Sequence, residues 1–166
     1  MQGWKEKLLS LAGKEVMIKA VVQSILTYSM NVFKLPIGLC KDIEAMIRRF
    51  WWGSCDSKKI HWVKWGSLCS SKSIRGMGFQ DLQRFNNAML SKQVWHLIHQ
   101  KDTLLYKVFS AKYFRNGCVL NASIHPKCSY ACRSILQAHD VINKGAIWRV
   151  GNGELGSVWI QLKTEN

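Results

Sequence analysis

Acidic residues are scarce in this chain, and the shortage is its clearest compositional bias. Only 10 of its 166 residues are Asp or Glu, against 24 Lys and Arg, so the formal net charge is +14. Such an excess attracts polyanions, and nucleic acid is the leading partner on charge alone. The cations are spread along the chain instead of forming one tail, which predicts a basic face on a folded domain. Because 48% of the residues are apolar, the chain can bury a core.

Closely spaced carboxylates, which two-metal nucleotidyl transfer requires, are missing. The aspartates stand alone in helical or turn contexts, where solvated or capping carboxylates are the ordinary case: Asp42, Asp56, Asp81, Asp102 and Asp140. His125, Cys128 and Cys132 could supply ligands to a structural zinc ion, but their spacing is not that of a zinc finger. No oriented Cys and His pair or phosphate-binding loop is indicated. We therefore predict no cofactor, no small-molecule substrate and no enzymatic activity.

A secretory leader and a long uncharged apolar run are also missing. The six cysteines are interpreted as reduced thiols, because a chain of this length and apolar content does not need a disulfide framework. Residues 16–33 form the most apolar stretch, but Lys19 and several polar side chains interrupt it. It therefore predicts a buried core helix rather than a membrane span. Together these features predict an intracellular protein without membrane association, and nothing in the sequence indicates its compartment.

Hydrophobic spacing predicts a mainly α-helical fold. Apolar residues recur at three- and four-residue steps over residues 4–12, 14–32, 41–52, 81–100, 104–114 and 129–143. Gly13 is predicted to end the first helix, and Ser129 to cap the last one. Residues 60–65 have strand-like composition, and residues 66–78 are predicted to form a loop. Near the C-terminus, residues 146–150 and 155–160 flank Gly151-Asn152-Gly153, which favours the tight turn of a small β-hairpin.

Tryptophan is concentrated in one stretch, where Trp51, Trp52, Trp62 and Trp65 alternate with Arg and Lys. Aromatic rings among cations could stack nucleic-acid bases. The alternative is that these large rings fill the core, which is the usual place for tryptophan. We predict that they are mostly structural and that the cations around them contact phosphates. Those candidate nucleic-acid-binding residues are Arg48, Arg49, Lys58, Lys59, Lys64, Lys72 and Arg75.

Short sequence blocks occur along the chain in an order that is similar to a known family. They include Gly3-Trp4-Lys5, Phe50-Trp51-Trp52-Gly53, Gly76-Met77-Gly78-Phe79, Phe85-Asn86 and Trp148-Arg149-Val150-Gly151-Asn152-Gly153. These blocks resemble the region downstream of the polymerase core in reverse transcriptases, RNA-directed DNA polymerases, of plant LINE-type non-LTR retrotransposons. The resemblance implies the thumb and the connection that follows it, which grip template and primer. The metal-binding aspartates of that family lie in the palm, upstream of anything that corresponds to Gly3.

The resemblance implies a non-catalytic fragment in three parts, with at most residual binding to the backbone of RNA or an RNA/DNA duplex. Residues 1–56 correspond to a helical thumb-like segment, 57–128 to a connection with the Trp-rich segment and two amphipathic helices, and 129–166 to a helix plus β-hairpin. The chain departs from the family at Cys132, where Trp is usual, at Arg75, where Gly is usual, and after Trp159, where Asp and Trp are expected. The alternatives are an isolated remnant without selected function and a structural metal-binding or scaffold protein.

Overall fold

The computed structural model describes residues 9–53, 63–113, 119, 128–150 and 158–162, with the backbone alone for 146–150 and 158–162. The fold is mainly helical, which confirms the prediction from hydrophobic spacing. The helices are α1 (Leu11–Met17), α2 (Ser24–Met30), α3 (Ile37–Trp52), α4 (Trp65–Cys69), α5 (Leu82–His99), α6 (Leu104–Tyr113), α7 (Tyr130–Gln137) and α8 (His139–Gly145). A π-helical segment covers Ile18–Gln23, and a 3₁₀ turn covers Lys72–Ile74.

The chain forms two compact units. The first comprises Met1–Asn31 and Leu35–Asn86, and the second comprises Val32–Lys34 and Asn87–Asn166. The three predicted parts were defined by resemblance to a family and not by compactness, so they stay a prediction. They are residues 1–56, 57–128 and 129–166.

Helices α1 and α2 are continuous through the π-helical segment between them. The predicted helix end at Gly13 was wrong, because the Ser10 side chain caps α1 and its Oγ accepts a hydrogen bond from the Gly13 N–H at 3.2 Å. This capping satisfies one N–H of the first turn, so the helix can begin before the glycine and continue through it.

The stretch from residue 16 to residue 33 is not the buried core helix that its composition predicts. One side carries the buried residues Ile18, Gln23 and Met30. The other side is open to solvent, with Ile25 68% exposed and Tyr28 84% exposed. The prediction was wrong because apolar content alone does not show how much of a helix circumference is covered. No helix in the described ranges is long and apolar enough to cross a bilayer.

The core of the first unit gathers residues from α3, α4 and the segment that follows α4. Helix α3 begins at Ile37, directly after Pro36, so the predicted start at residue 41 was four residues late. Pro36 suits this position because it has no N–H to leave unsatisfied. Buried residues of this core are Ile18, Ile47, Trp51, Leu68 and Phe79.

A buried asparagine joins the end of α2 to the start of α3. The Asn86 side chain, 2% exposed, donates from Nδ2 to the Met30 carbonyl at 3.0 Å. Its Oδ1 accepts a hydrogen bond from the Leu35 N–H at 2.9 Å. One side-chain amide therefore satisfies the Met30 carbonyl at the end of α2 and the Leu35 N–H before α3. Backbone groups at helix ends need such partners because they lack intrahelical ones.

The core of the second unit lies between α5, α6, α7 and α8. Ser129 caps α7 as predicted, with its Oγ accepting from the Cys132 N–H at 3.3 Å. The single helix predicted over residues 129–143 is instead two helices, which meet at Ala138. The buried core residues are Leu90, Val94, Leu97, Phe109, Val119, Cys132, Ile135, Leu136, Ala138 and Ile142.

Two short strands follow α8. Strand β1 (Ala146–Val150) pairs antiparallel with β2 (Val158–Leu162), and Val150 pairs with Val158. The second strand lies at Val158–Leu162 rather than at the predicted residues 155–160. Gly151-Asn152-Gly153 itself lies outside the described residues. The tight turn predicted there stays a prediction.

Candidate nucleic-acid interface

Three aromatic rings, those of Trp51, Trp65 and Phe79, form what we call the buried aromatic cluster of the first unit. Trp51 and Phe79 are buried, and Trp65 is half-buried. The Phe79 ring lies edge-on to Trp51 at 5.2 Å between centroids and stacks on Trp65 at 5.7 Å. Trp52 is half-buried and packs against the same core. These contacts confirm the prediction that Trp51, Trp52 and Trp65 are mostly structural. Trp62 lies outside the described residues, and its role stays a prediction.

The chain between Leu68 and Phe79 folds back on itself through backbone hydrogen bonds. Leu68 O accepts from the N–H of Met77 at 3.0 Å and from that of Phe79 at 3.3 Å. Ser70 O accepts from the Gly78 N–H at 2.9 Å. Residues 66–78 are therefore not the irregular loop that their Gly and Ser content predicts, since they contain most of α4 and a 3₁₀ turn. This backbone clasp places Phe79 against the two tryptophans.

A single carboxylate ties α1 to the backbone clasp. Glu15 Oε1 lies 2.8 Å from Lys19 Nζ and 2.6 Å from Lys72 Nζ. Lys19 Nζ also donates to the Met77 carbonyl at 2.7 Å and lies over the Phe79 ring. Hydrogen bonds from Lys19 and Lys72 hold the pKa of Glu15 below its ordinary value of 4.5. Lys72, one of the predicted phosphate contacts, is thus already engaged with an anion.

Replacing Glu15 with glutamine is expected to remove a pH-dependent part of the stability. Because the folded-state pKa is lowered, the ionised carboxylate stabilises the fold above pH 4.5, and that contribution is lost as pH falls through the folded-state pKa. Urea midpoints of wild type and Glu15→Gln should therefore differ near neutral pH and converge in acid.

Asp42→Asn is the matched control for this prediction. It removes one negative charge from an exposed side chain that forms no ion pair within the described residues. The difference in urea midpoint between Asp42→Asn and wild type should vary less with pH than that between Glu15→Gln and wild type. Parallel pH curves for wild type and Glu15→Gln would contradict the assigned role of Glu15.

The other predicted phosphate contacts are close in sequence to the residues of the buried aromatic cluster. Arg49 is exposed near the end of α3, Lys64 is exposed before α4, and Arg75 is exposed after the 3₁₀ turn. None of these three exposed cations forms an ion pair with another described residue. Arg48 is half-buried and donates to the Glu44 carbonyl at 3.3 Å. Lys58 and Lys59 lie outside the described residues, so their assignment stays a prediction.

Arg75 has an unusual backbone conformation. Its φ of 63° makes it the one residue other than glycine with positive φ in the described ranges. Such a conformation is unfavourable for an L-residue with a Cβ and favours glycine. This gives a physical reason why glycine suits this position. The arginine places a cation on an exposed turn at the expense of backbone strain.

Histidine and cysteine do not form a metal site in the described part of the chain. No group of three or more His, Cys, Asp or Glu side chains is close enough there to hold an ion. Cys128 and Cys132 do lie together, with 3.5 Å between their Sγ atoms. His125 lies outside the described residues, so a zinc ion held by His125, Cys128 and Cys132 stays an open alternative. His96 is half-buried and His99 is exposed.

Two side chains important for this surface, Glu15 and Lys19, were not among the residues predicted from the sequence. Their four-residue spacing on a helix is a recognisable signal for an ion pair. The contact of Glu15 with Lys72 has no such signal, because the two residues are far apart in sequence and meet only through the fold.

Two proteins of Arabidopsis thaliana are similar to this chain. "Uncharacterized mitochondrial protein AtMg00310" is 39% identical over 135 residues, which cover 80% of this chain and 88% of that protein. "Putative ribonuclease H protein At1g65750" is 35% identical over 163 residues, which cover 96% of this chain and 26% of that protein. This chain thus spans about a quarter of the longer relative. No family model matches the sequence, and no solved structure matches it.

The similarity to the shorter relative extends over 88% of that protein. An identity of 39% over 135 residues indicates common ancestry. The chain therefore belongs to the same protein family as the mitochondrial protein AtMg00310 of Arabidopsis thaliana.

Proposed function

We propose that this chain is a non-catalytic part of a LINE-type retrotransposon reverse transcriptase that binds the backbone of RNA or of an RNA/DNA duplex. The observation that carries the proposal is the set of exposed cations Arg49, Lys64 and Arg75, none of which is neutralised by a described acidic residue. Each stands within four positions of a member of the buried aromatic cluster. A packed core beside exposed cationic side chains supports contact with phosphates.

Contact with the nucleic-acid backbone is favoured over base stacking because the rings of the buried aromatic cluster already pack against each other. Trp51 is 7% exposed, and Phe79 is 2% exposed. A ring buried between two others cannot offer a face to a base without unfolding part of the core. The surface therefore supports recognition of charge and shape rather than of base sequence.

The relatives support a nucleic-acid partner at a coarser level. One of them is named as a putative ribonuclease H protein. The family origin in a retrotransposon reverse transcriptase rests on the sequence blocks quoted above. We infer no catalysis by this chain itself. The Asp81 carboxylate, for example, caps α5 through the N–H groups of Gln83 and Arg84, and Glu44 accepts a hydrogen bond from the Leu82 N–H at the start of the same helix.

The test is the salt dependence of binding to fluorescein-labelled single-stranded RNA and to an RNA/DNA duplex of the same sequence. Fluorescence anisotropy would be recorded from about 25 to about 200 mM KCl, the range in which phosphate contacts change affinity most clearly. The triple variant Arg49→Gln, Lys64→Gln and Arg75→Gln should bind single-stranded RNA more weakly. Its slope of log K against log salt should be shallower by about 2, since each lost phosphate contact removes about 0.7.

A charge-matched control separates a local interface from diffuse attraction. Lys92→Gln, Lys107→Gln and Lys144→Gln remove the same charge from exposed positions in the second unit. This control should change the slope by less than about 1. Equal slopes for both triple variants would overturn the interface, and no binding by wild type at the lowest salt would overturn the proposed function as a whole.

A further inference from the structure

The pair Cys128 and Cys132 is a second chemical feature, independent of the cationic surface. Cys132 Sγ donates a hydrogen bond to Cys128 Sγ at 3.5 Å. Cys132 is fully buried, whereas Cys128 is half-buried. One thiol can therefore meet a reagent from solution, and the other can be reached only through its neighbour.

We propose that Cys128 and Cys132 form a reversible intramolecular disulfide by exchange with a small-molecule disulfide such as oxidised glutathione. Both thiols belong to the second unit and flank the Ser129 cap of α7. Their sulfurs must approach from 3.5 Å to about 2 Å for a bond to form. Cys128 precedes the helix and is not fixed by intrahelical hydrogen bonds, so it can make most of that movement.

The exchange takes place in two steps. The Cys128 thiolate attacks one sulfur of oxidised glutathione, which breaks that S–S bond, releases one glutathione thiolate and leaves a mixed disulfide on Cys128. The Cys132 thiolate then attacks Cys128 Sγ and releases the second glutathione. In sum, the two cysteines lose two electrons and two protons, and one oxidised glutathione becomes two reduced molecules.

The environments of the two sulfurs set this order of events. Burial and the hydrogen bond with Cys128 raise the pKa of Cys132 to about 12. A buried, protonated thiol is a poor first nucleophile but can act once its partner sulfur carries a leaving group at short range. Closure is therefore the slower step, and the mixed disulfide on Cys128 is the expected intermediate.

Closure would tether Cys128, which precedes the Ser129 cap, to the first turn of α7. Ser129, between the two cysteines, caps α7 and also contacts the Tyr113 hydroxyl at 3.5 Å. The disulfide would thus restrain the capped turn and its contact with the end of α6.

The experiment is differential alkylation of the full chain after equilibration in glutathione buffers of increasing oxidised fraction. Trypsin cleaves after Lys127 and Arg133, so one peptide, Cys-Ser-Tyr-Ala-Cys-Arg, contains both thiols and no other cysteine. A second peptide, residues 65–72, contains Cys69 alone and serves as an internal control. Mass spectrometry then distinguishes the doubly alkylated, mixed-disulfide and internally closed forms.

The ratio of oxidised to reduced glutathione that gives half of the internal disulfide should be low. It should be at least about tenfold below the ratio at which half of Cys69 is modified. Cys132→Ala should stop at the mixed disulfide on Cys128. Cys128→Ser, at a half-buried position that tolerates the change, should leave Cys132 unmodified in folded protein. A wild-type peptide that stays doubly alkylated until Cys69 reacts, or that ends as a mixed disulfide, would overturn the proposal.

Discussion

Replacing Gly76 with alanine is expected to destabilise the protein by about 3 kcal/mol. A Cβ at this position would overlap the Ser70 carbonyl and lie 2.8 Å from the Ser70 Cα. These are backbone atoms, and Ser70 O is also fixed by the Gly78 N–H. Ser70 and Gly76 cannot move apart without breaking the backbone hydrogen bonds between residues 68–70 and 77–79. The added methyl group must therefore break these hydrogen bonds. Urea unfolding followed by tryptophan fluorescence measures the effect.

Gly66→Ala is the control for this prediction, since it adds the same atom to another glycine of the same unit. Gly66 lies in α4, and nothing lies within 4 Å of a Cβ built there. Alanine should raise the stability by about 0.5–1 kcal/mol, because glycine is unfavourable inside a helix. If Gly76→Ala left the urea midpoint where Gly66→Ala leaves it, the close packing of residues 70 and 76 would be refuted.

The parts of the fold that were predictable from sequence are those that depend on local spacing. Leu90, Val94 and Leu97 recur along one side of α5 and are all buried. Ser129 could be recognised as a cap because a hydroxyl before an apolar periodic stretch satisfies a free N–H group of the first turn. Such features involve residues within a few positions of each other, so the sequence pattern contains the information needed.

Features that depend on distant residues could not be predicted in the same way. The contact of Glu15 with Lys72 joins α1 to the 3₁₀ turn, and no spacing rule relates the two positions. Gly76 appeared to belong to a loop, whereas its small size is required by the Ser70 backbone. The candidate interface shows the same division. The seven cations could be chosen from charge and position, but the engagement of Lys72 with an anion emerged only from the fold.

Replacing Phe79 with alanine is the second prediction with a large effect, a loss of about 3–5 kcal/mol. Phe79 is 2% exposed and contacts both Trp51 and Trp65, so its removal leaves a cavity and ends two aromatic contacts. Tyr28→Ala removes an aromatic ring from a position that is 84% exposed and should change the stability by less than about 0.5 kcal/mol. Urea midpoints of the two variants give the comparison.

Phe79→Leu then separates packing from nucleic-acid binding. Leucine retains much of the buried volume, so this variant should stay folded while it loses the ring contacts with Trp51 and Trp65. If the buried aromatic cluster only supports the surface, the affinity and the salt slope of RNA binding should both equal those of wild type. A folded Phe79→Leu protein with a reduced affinity and an unchanged slope would instead show that the rings contact bases directly, because stacking contributes affinity without displacing counterions. The cations and the rings of the Trp-rich stretch can therefore be assigned separate roles by one pair of measurements.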